Sequence, residues 1–296
     1  MPEPSRPPPL DAGLEIAFAA KRLSTHLNNF LPLRHRDVDG LIATAKNSGT
    51  HWLRFMLSCA MAAQYGLPPP ARSSGERSGD FIASPKWKPV HPQIPRIVSS
   101  HTVPSGVLAW PWVRRAAGLP RTLVLVREIG EAMLSNYVKW QDDYRSSLAQ
   151  FVRGDPLGRR YTADAWWFVR FFNRWGDAAD RFPDEILVLR YEDIGADPAA
   201  AVDRAGRHFG IAFTPAALDA AVAVSSRGAV AEQLDRTFEE VIIPDAERRR
   251  AARFSAGEAA LLQAILSRHL RHDFGYGYLA APDRLARPVV RTAPAE

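Results

Sequence analysis

The run Thr122-Leu-Val-Leu-Val126 is almost wholly β-branched and aliphatic. Such a run fits a strand covered on both faces, not one with a wet side. A strand of that kind needs helices packed above and below it, which directs the chain toward an α/β domain built on a parallel sheet. Three more short runs share this character: Gly40 to Thr44, Arg96 to Ser100, and Ile186 to Tyr191. Helical patterns alternate with them. One runs from Thr50 to Gln64 and is closed by Gly66, and one from Gly130 to Tyr144. Another follows Asp197-Pro198, an N-cap with a first-turn proline, and reaches Phe209. The last opens at Ser255, which with Glu258 forms a capping-box pair, and ends near His269. The expected fold class is α/β: a P-loop-like, three-layer α/β/α domain with a central parallel sheet.

A length of 296 residues allows one large domain or two small ones. Residues 1–12 carry most of a proline cluster and read as a flexible arm, 13–280 as the folded domain, and 281–296 as a loose tail. Within the domain, 67–95 is rich in Pro, Ser, Gly and Arg and reads as a long loop able to act as a lid. No apolar run is long enough to span a bilayer, and the N-terminal residues lack the pattern of a secretory signal. The single cysteine, Cys59, excludes an internal disulfide and points to a reducing, cytoplasmic setting. The net charge of +6 suits an anionic partner. Only five of the 38 basic residues are lysines, so a lysine inside a candidate site carries more information than an arginine.

The turn Ala45-Lys-Asn-Ser-Gly-Thr50 lies between a strand and a helix. There, free backbone N–H groups and the helix dipole favour an anion, and Gly49 lets the backbone approach a phosphate closely. The turn lacks the first glycine and the Lys-Ser/Thr order of a nucleoside triphosphatase loop, which disfavours ATP or GTP hydrolysis. Three other polar groups fall at the carboxyl ends of expected strands, where open α/β sheets bind ligands. His101 follows the second strand and has the ordinary pKa of a base working near neutrality. Arg127 follows the third, with Ser135 eight residues on, so that a guanidinium and a hydroxyl can share one phosphate. Tyr191-Glu-Asp193 follows the fourth. Trp166, Trp167, Phe171, Phe172 and Trp175 fit either an acceptor wall or a core-facing helix, and their near-helical spacing favours the core.

In this order the motifs resemble those of the PAPS-dependent sulfotransferases, over about residues 40–275. Ala45-Lys-Asn-Ser-Gly-Thr-His-Trp52 is similar to the family's 5′-phosphosulfate loop P-K-S-G-T-T-W. Ile97-Val-Ser-Ser-His101 is similar to the strand that ends in K-T-H, and Val126-Arg-Glu-Ile-Gly-Glu-Ala-Met-Leu-Ser135 to the 3′-phosphate motif V-R-N-P-x-D-x-x-x-S. Leu189-Arg-Tyr-Glu-Asp193, His208-Phe-Gly210 and Phe274-Gly-Tyr276 follow in family order.

The resemblance implies transfer of a sulfuryl group from 3′-phosphoadenosine 5′-phosphosulfate (PAPS) to the hydroxyl or amine of a small molecule. In-line attack releases 3′,5′-ADP and needs no metal. It implies catalytic roles for His101, as base, and Lys46. It places Lys46, Asn47, Ser48, Gly49, Thr50, His51, Trp52, Arg127, Ser135 and Tyr191 around the nucleotide. Departures are specific. Aligned without a gap, the loop lysine falls on Asn47, the loop proline on Lys46, and the lysine of K-T-H on Ser99. No R-K-G segment precedes Phe254, and Arg248, Arg249 and Arg250 are the nearest basic substitutes besides Arg227. Two other readings stay open: a P-loop kinase or other nucleotide-dependent transferase, and a non-catalytic binder of anions or nucleic acid. No nucleic-acid partner is expected on the first reading, and nothing in the sequence indicates an oligomeric state or an acceptor.

Overall fold

A computed structural model describes residues 10–27, 37–70, 79–117, 119–226 and 252–279. Strands β1 (Gly40–Thr44), β2 (Ile82–Ala83), β3 (Ile97–Ser100), β4 (Arg121–Val126) and β5 (Ile186–Arg190) form one sheet in the order β2-β3-β1-β4-β5. Every neighbouring pair is parallel. Parallel pairing demands a crossover after each strand, and the helices that make these crossovers cover both faces.

Alternation along the strands sorts the two cores. Leu41, Ala43, Val98, Val124 and Val126 face one side, against α4 (Ile129–Tyr144), α5 (Leu148–Arg153), α6 (Ala165–Arg181) and α10 (Ala256–His269). An N-terminal helix, α1 (Ala12–Leu27), adds Phe18 to that core. Ile42, Ile97, Leu123, Leu125 and Leu189 face the other side, against α2 (Thr50–Gln64), α7 (Tyr191–Ala196), α8 (Pro198–His208) and α9 (Pro215–Ala223). The architecture is the three-layer α/β/α sandwich that the sequence leads one to expect. A short 3₁₀ turn (Gly106–Ala109) and α3 (Pro111–Ala117) link β3 to β4.

The helix ends follow from local chemistry. Asp197 caps α8 through Ala200 N with Pro198 in its first turn, and Ser255 with Glu258 closes the capping box of α10. Trp166, Phe171, Phe172 and Trp175 are buried on α6, so the aromatic stripe is core. Trp175 Nε1 also donates to Thr102 O at 3.0 Å, which fixes the residue after His101 against this helix.

Two details differ from the sequence reading. The stretch 67–95 is not wholly loop: Ile82–Ala83 pairs with β3 at the sheet edge, and two residues are too few to show a period among prolines and serines. Tyr191 does not end a strand but begins α7, because Arg190 in extended backbone serves as N-cap and Glu192 and Asp193 occupy the favoured acidic first turn. The proposed arm lies outside the described residues up to residue 9, and the tail 281–296 lies outside them entirely.

Phe168 is fully buried in the α6 core. Phe168→Ala should therefore lower unfolding free energy by about 3–5 kcal/mol, read as a lower urea midpoint at unchanged slope.

Candidate functional site

The sheet order reverses at β1, whose neighbours β3 and β4 lie on opposite sides, and open α/β sheets bind ligands at the carboxyl end of such a switch point. Thr44, His101, Arg127 and Tyr191 all stand at or just beyond the carboxyl ends of β1, β3, β4 and β5. Parallel register therefore gathers at one edge what the sequence separates by almost 150 residues.

The turn after β1 is held open by backbone geometry. Asn47 and Gly49 both have positive φ, at 57° and 84°. A Cβ on Gly49 would meet the Tyr191 ring at 2.6 Å, so only glycine fits where turn and α7 meet. Gly49 is the N-cap of α2, and no side chain caps that helix. Among the described residues, Asn47 Nδ2 and Ser48 Oγ are buried with no hydrogen-bond partner. Buried donors left unpaired are costly, and here they lie in the turn that leads into an uncapped helix N-terminus, an arrangement that suits an anion. The N-terminus of α4 is different: Glu128 accepts from Gly130 N (3.1 Å) and Glu131 N (2.5 Å), so its amides are already used.

Thr44 joins the turn to the candidate base. Thr50 Oγ1 donates to Thr44 Oγ1 (2.9 Å), and His101 Nδ1 lies 2.9 Å from both the hydroxyl and the carbonyl oxygen of Thr44. A carbonyl only accepts, so Nδ1 carries the proton and Nε2 keeps the lone pair. His101 is solvent-accessible yet has protein on most sides. Crowding by protein pushes its pKa below the usual histidine value; the bond to Thr44 opposes this, while Lys46, Lys139 and Arg54 add to it. The imidazole is therefore neutral near pH 7, with its free nitrogen available to take a proton.

The other sequence candidates divide. Arg127 Nη1 donates to Asn47 O (3.0 Å), Nη2 lies 3.6 Å from Glu131, and the guanidinium sits 4.5 Å from the Tyr191 ring centre. Tyr191 in turn meets Trp52 edge-on at 5.4 Å, and Trp52 Nε1 donates to Ser225 O (2.8 Å). Turn, arginine and both rings thus form one contiguous surface. Ser135 is buried on α4, two turns beyond Arg127, and His51 is half-buried in the first turn of α2. Lys46 leaves the turn in another direction: Nζ donates to Thr162 O (2.9 Å) and lies 5.7 Å from the Trp167 ring centre. Burial pushes its ammonium below the usual lysine range. Arg248, Arg249 and Arg250 lie outside the described residues.

Several contacts of the site escape sequence reasoning. Arg54, one turn after Thr50, donates to Ile82 O, and burial pushes its pKa down to about 10. Tyr278 OH donates to Glu128 Oε1 (2.6 Å) and accepts from Ile129 N (2.6 Å), while Tyr276 OH donates to Glu192 Oε2 (2.5 Å). These bonds clamp the Phe274–Tyr278 segment onto the starts of α4 and α7. Burial raises the Glu128 carboxyl and the Tyr278 phenol above their usual ranges. Lys139 follows Ser135 by one helical turn, a spacing that could have marked it. Among the described residues, no three His, Cys, Asp or Glu side chains gather as a metal site, and no helix is long and apolar enough to cross a membrane.

No protein-family model matches the chain, and no curated protein matches its sequence. Solved structures do. A mouse sulfotransferase, SULT7A1 complexed with PAP, superposes over 87% of this chain and 90% of its own, with a TM-score of 0.52 at 13% identity. Retinol dehydratase in a complex with retinol and PAP covers 86% and 88%, with a TM-score of 0.47 at 14% identity. A sulfotransferase from Alicyclobacillus acidocaldarius covers 72% and 98%, with a TM-score of 0.36 at 14% identity. The chain has the sulfotransferase fold, as the mouse structure shows and as the order of motifs implies.

The electrostatics of His101 are open to measurement. In an NMR titration its ring should titrate below about 6.5, and Lys46→Met should move the value upward. Because the folded value is the lower one, the stability His101 contributes is full above the unfolded pKa and is lost as pH falls through the folded pKa.

Proposed function

We propose that this protein is a PAPS-dependent sulfotransferase, and that it moves a sulfuryl group to an acceptor hydroxyl or amine. The observation that carries the reading is a pair of buried donors without partners among the described residues, Asn47 Nδ2 and Ser48 Oγ, in an uncapped turn joined through Thr44 to His101. The sulfotransferase fold and the PAP bound to the mouse enzyme support it.

The chain's residues fit the donor. Asn47, Ser48, Thr50 and the turn's backbone N–H groups, with His51 alongside, hold the 5′-phosphate end, and Gly49 keeps the backbone close. Trp52 and Tyr191 offer ring faces and edges to the adenine. Arg127 and Ser135 take the 3′-phosphate, with Arg248, Arg249 and Arg250 as further cations toward it. Bound there, the donor supplies an activated sulfuryl group whose leaving partner is 3′,5′-ADP. His101 acts from the acceptor side: Nε2 takes the proton of the attacking hydroxyl, and Thr44 O holds Nδ1–H so that the ring keeps that tautomer. Lys46 offers the point charge for the group in transit, exchanging its bond to Thr162 O for one to the ligand. The reaction relies on positioning and charge more than on covalent chemistry by the protein.

Calorimetry tests the reading. 3′,5′-ADP should bind at least tenfold more tightly than 5′-AMP, since each charge-assisted hydrogen bond is worth about 1.5–3 kcal/mol, and Arg127→Ala should erase most of the difference. Equal affinities, or Mg²⁺-dependent binding of ATP in their place, would return the chain to the kinase reading.

Turnover separates the catalytic roles. His101→Ala should cost about 10²–10⁴-fold in kcat while leaving nucleotide affinity within a few fold. At saturating PAPS, Lys46→Ala should lower kcat more than Asn47→Ala does, and near-full turnover in Lys46→Ala would give the role to Asn47.

A further inference from the structure

The charges of two ammonium groups, Lys46 and Lys139, reach His101, and among the described residues no carboxylate balances them. Lys139 is half-buried on α4, four residues after Ser135 and three after Asn136, and therefore neighbours both on the helix surface. Asn136 Nδ2 donates to Thr162 Oγ1 (3.3 Å), and Thr162 O accepts from Lys46 Nζ (2.9 Å), so Thr162 brings Lys46 to the same face of α4. Their charges are mutually felt, since Lys46 pushes the Lys139 ammonium down and both push His101 down.

Among the described residues, neither lysine has a carboxylate within ion-pair distance; Lys46 has the Thr162 carbonyl, and Lys139 lies 5.1 Å from the Trp140 ring centre. Asp142 and Asp143, about one turn beyond Lys139, are exposed. Half-buried cations without counter-charges are unfavourable, and the charge missing from the protein is one a ligand can bring.

The proposed donor accounts for part of that charge. Its 3′-phosphate belongs to Arg127 and Ser135, its 5′-phosphate to the turn, and its sulfuryl group to Lys46. Lys139 is left over. At 1.5 Å per residue it stands about 6 Å along α4 from Ser135, beyond the 3′-phosphate position, and its charge reaches the ring that serves the acceptor. Resting on the sulfotransferase reading, we infer that Lys139 receives an anionic oxygen group of the acceptor. The acceptor is then an alcohol or phenol that also carries a carboxylate or a sulfate monoester.

The test is calorimetry on the full chain saturated with 3′,5′-ADP. The probes are matched hydroxy acids, their methyl esters and the corresponding sulfate monoesters, both aliphatic and aromatic. At least one acid or sulfate monoester should bind tenfold or more tightly than its neutral ester, and the tighter of the two names the anion. Lys139→Met should remove that preference, Lys139→Arg should keep most of it, and both variants should bind 3′,5′-ADP within about twofold of wild type. Equal binding of every charged and neutral pair to the wild-type protein, including no binding of either, overturns the inference without any variant. So does a preference that survives in Lys139→Met, or a Lys139→Met protein that loses affinity for PAPS but not for 3′,5′-ADP, which would assign the lysine to the sulfuryl group. Failure of 3′,5′-ADP to bind the wild type contradicts the sulfotransferase reading instead, and the acid and ester comparison on the free protein then still decides whether Lys139 selects anions.

Discussion

Parallel pairing of β3, β1, β4 and β5 is the constraint on which the rest of this molecule depends. Parallel strands point their carboxyl ends the same way, so the residue that follows each strand is delivered to one edge of the sheet. Thr44, His101, Arg127 and Tyr191 meet there because their strands are in register, with Ala43 opposite both Ser100 and Val124, and Val126 opposite Arg190. Buried Thr44 makes this register chemical: its carbonyl orients the His101 ring and its hydroxyl receives Thr50 from the helix that closes the turn. A slip of one residue between β1 and β3 would remove the base from the turn.

The site is divided between rigid and responsive parts. Arg127, Tyr191 and Trp52 are packed against one another, and the Glu128–Tyr278 and Glu192–Tyr276 bonds brace the segments around them. Among the described residues, Asn47, Ser48, Lys46 and Lys139 carry polar groups left without a charged or hydrogen-bonding counterpart, or satisfied only by a carbonyl or a ring. Burying such groups costs stability, and an anionic ligand offsets that cost on binding. This places affinity for anions in the residues that the fold satisfies least.

Most of the architecture is legible from sequence. The four long strands and the helices 50–64, 129–144, 198–208 and 256–269 announce themselves through aliphatic runs, a C-terminal glycine, Asp197-Pro198 and the Ser255–Glu258 pair. β2 is silent because two residues show no period, and α7 because its residues read as the polar end of β5. In the site, the strand-end positions of His101 and Arg127 are readable, since topology alone fixes them. The direction of Lys46 is not, because it is set by Thr162, 116 residues away. Arg54 is hidden for a like reason: its proximity to His101 depends on how α2 packs, whereas Lys139 is marked only by its one-turn spacing from Ser135.

The central claim is that the β1 turn and the β4 end bind the two phosphates of one nucleotide. A crystal structure of the protein grown with 3′,5′-ADP tests it most directly. The account predicts density for the 5′-phosphate within hydrogen-bond distance of Asn47 Nδ2, Ser48 Oγ and the Gly49–Thr50 backbone, and for the 3′-phosphate between Arg127 and Ser135. Nucleotide density elsewhere on the molecule, or a 3′-phosphate in solvent with Arg127 still on Asn47 O and Glu131, would contradict it.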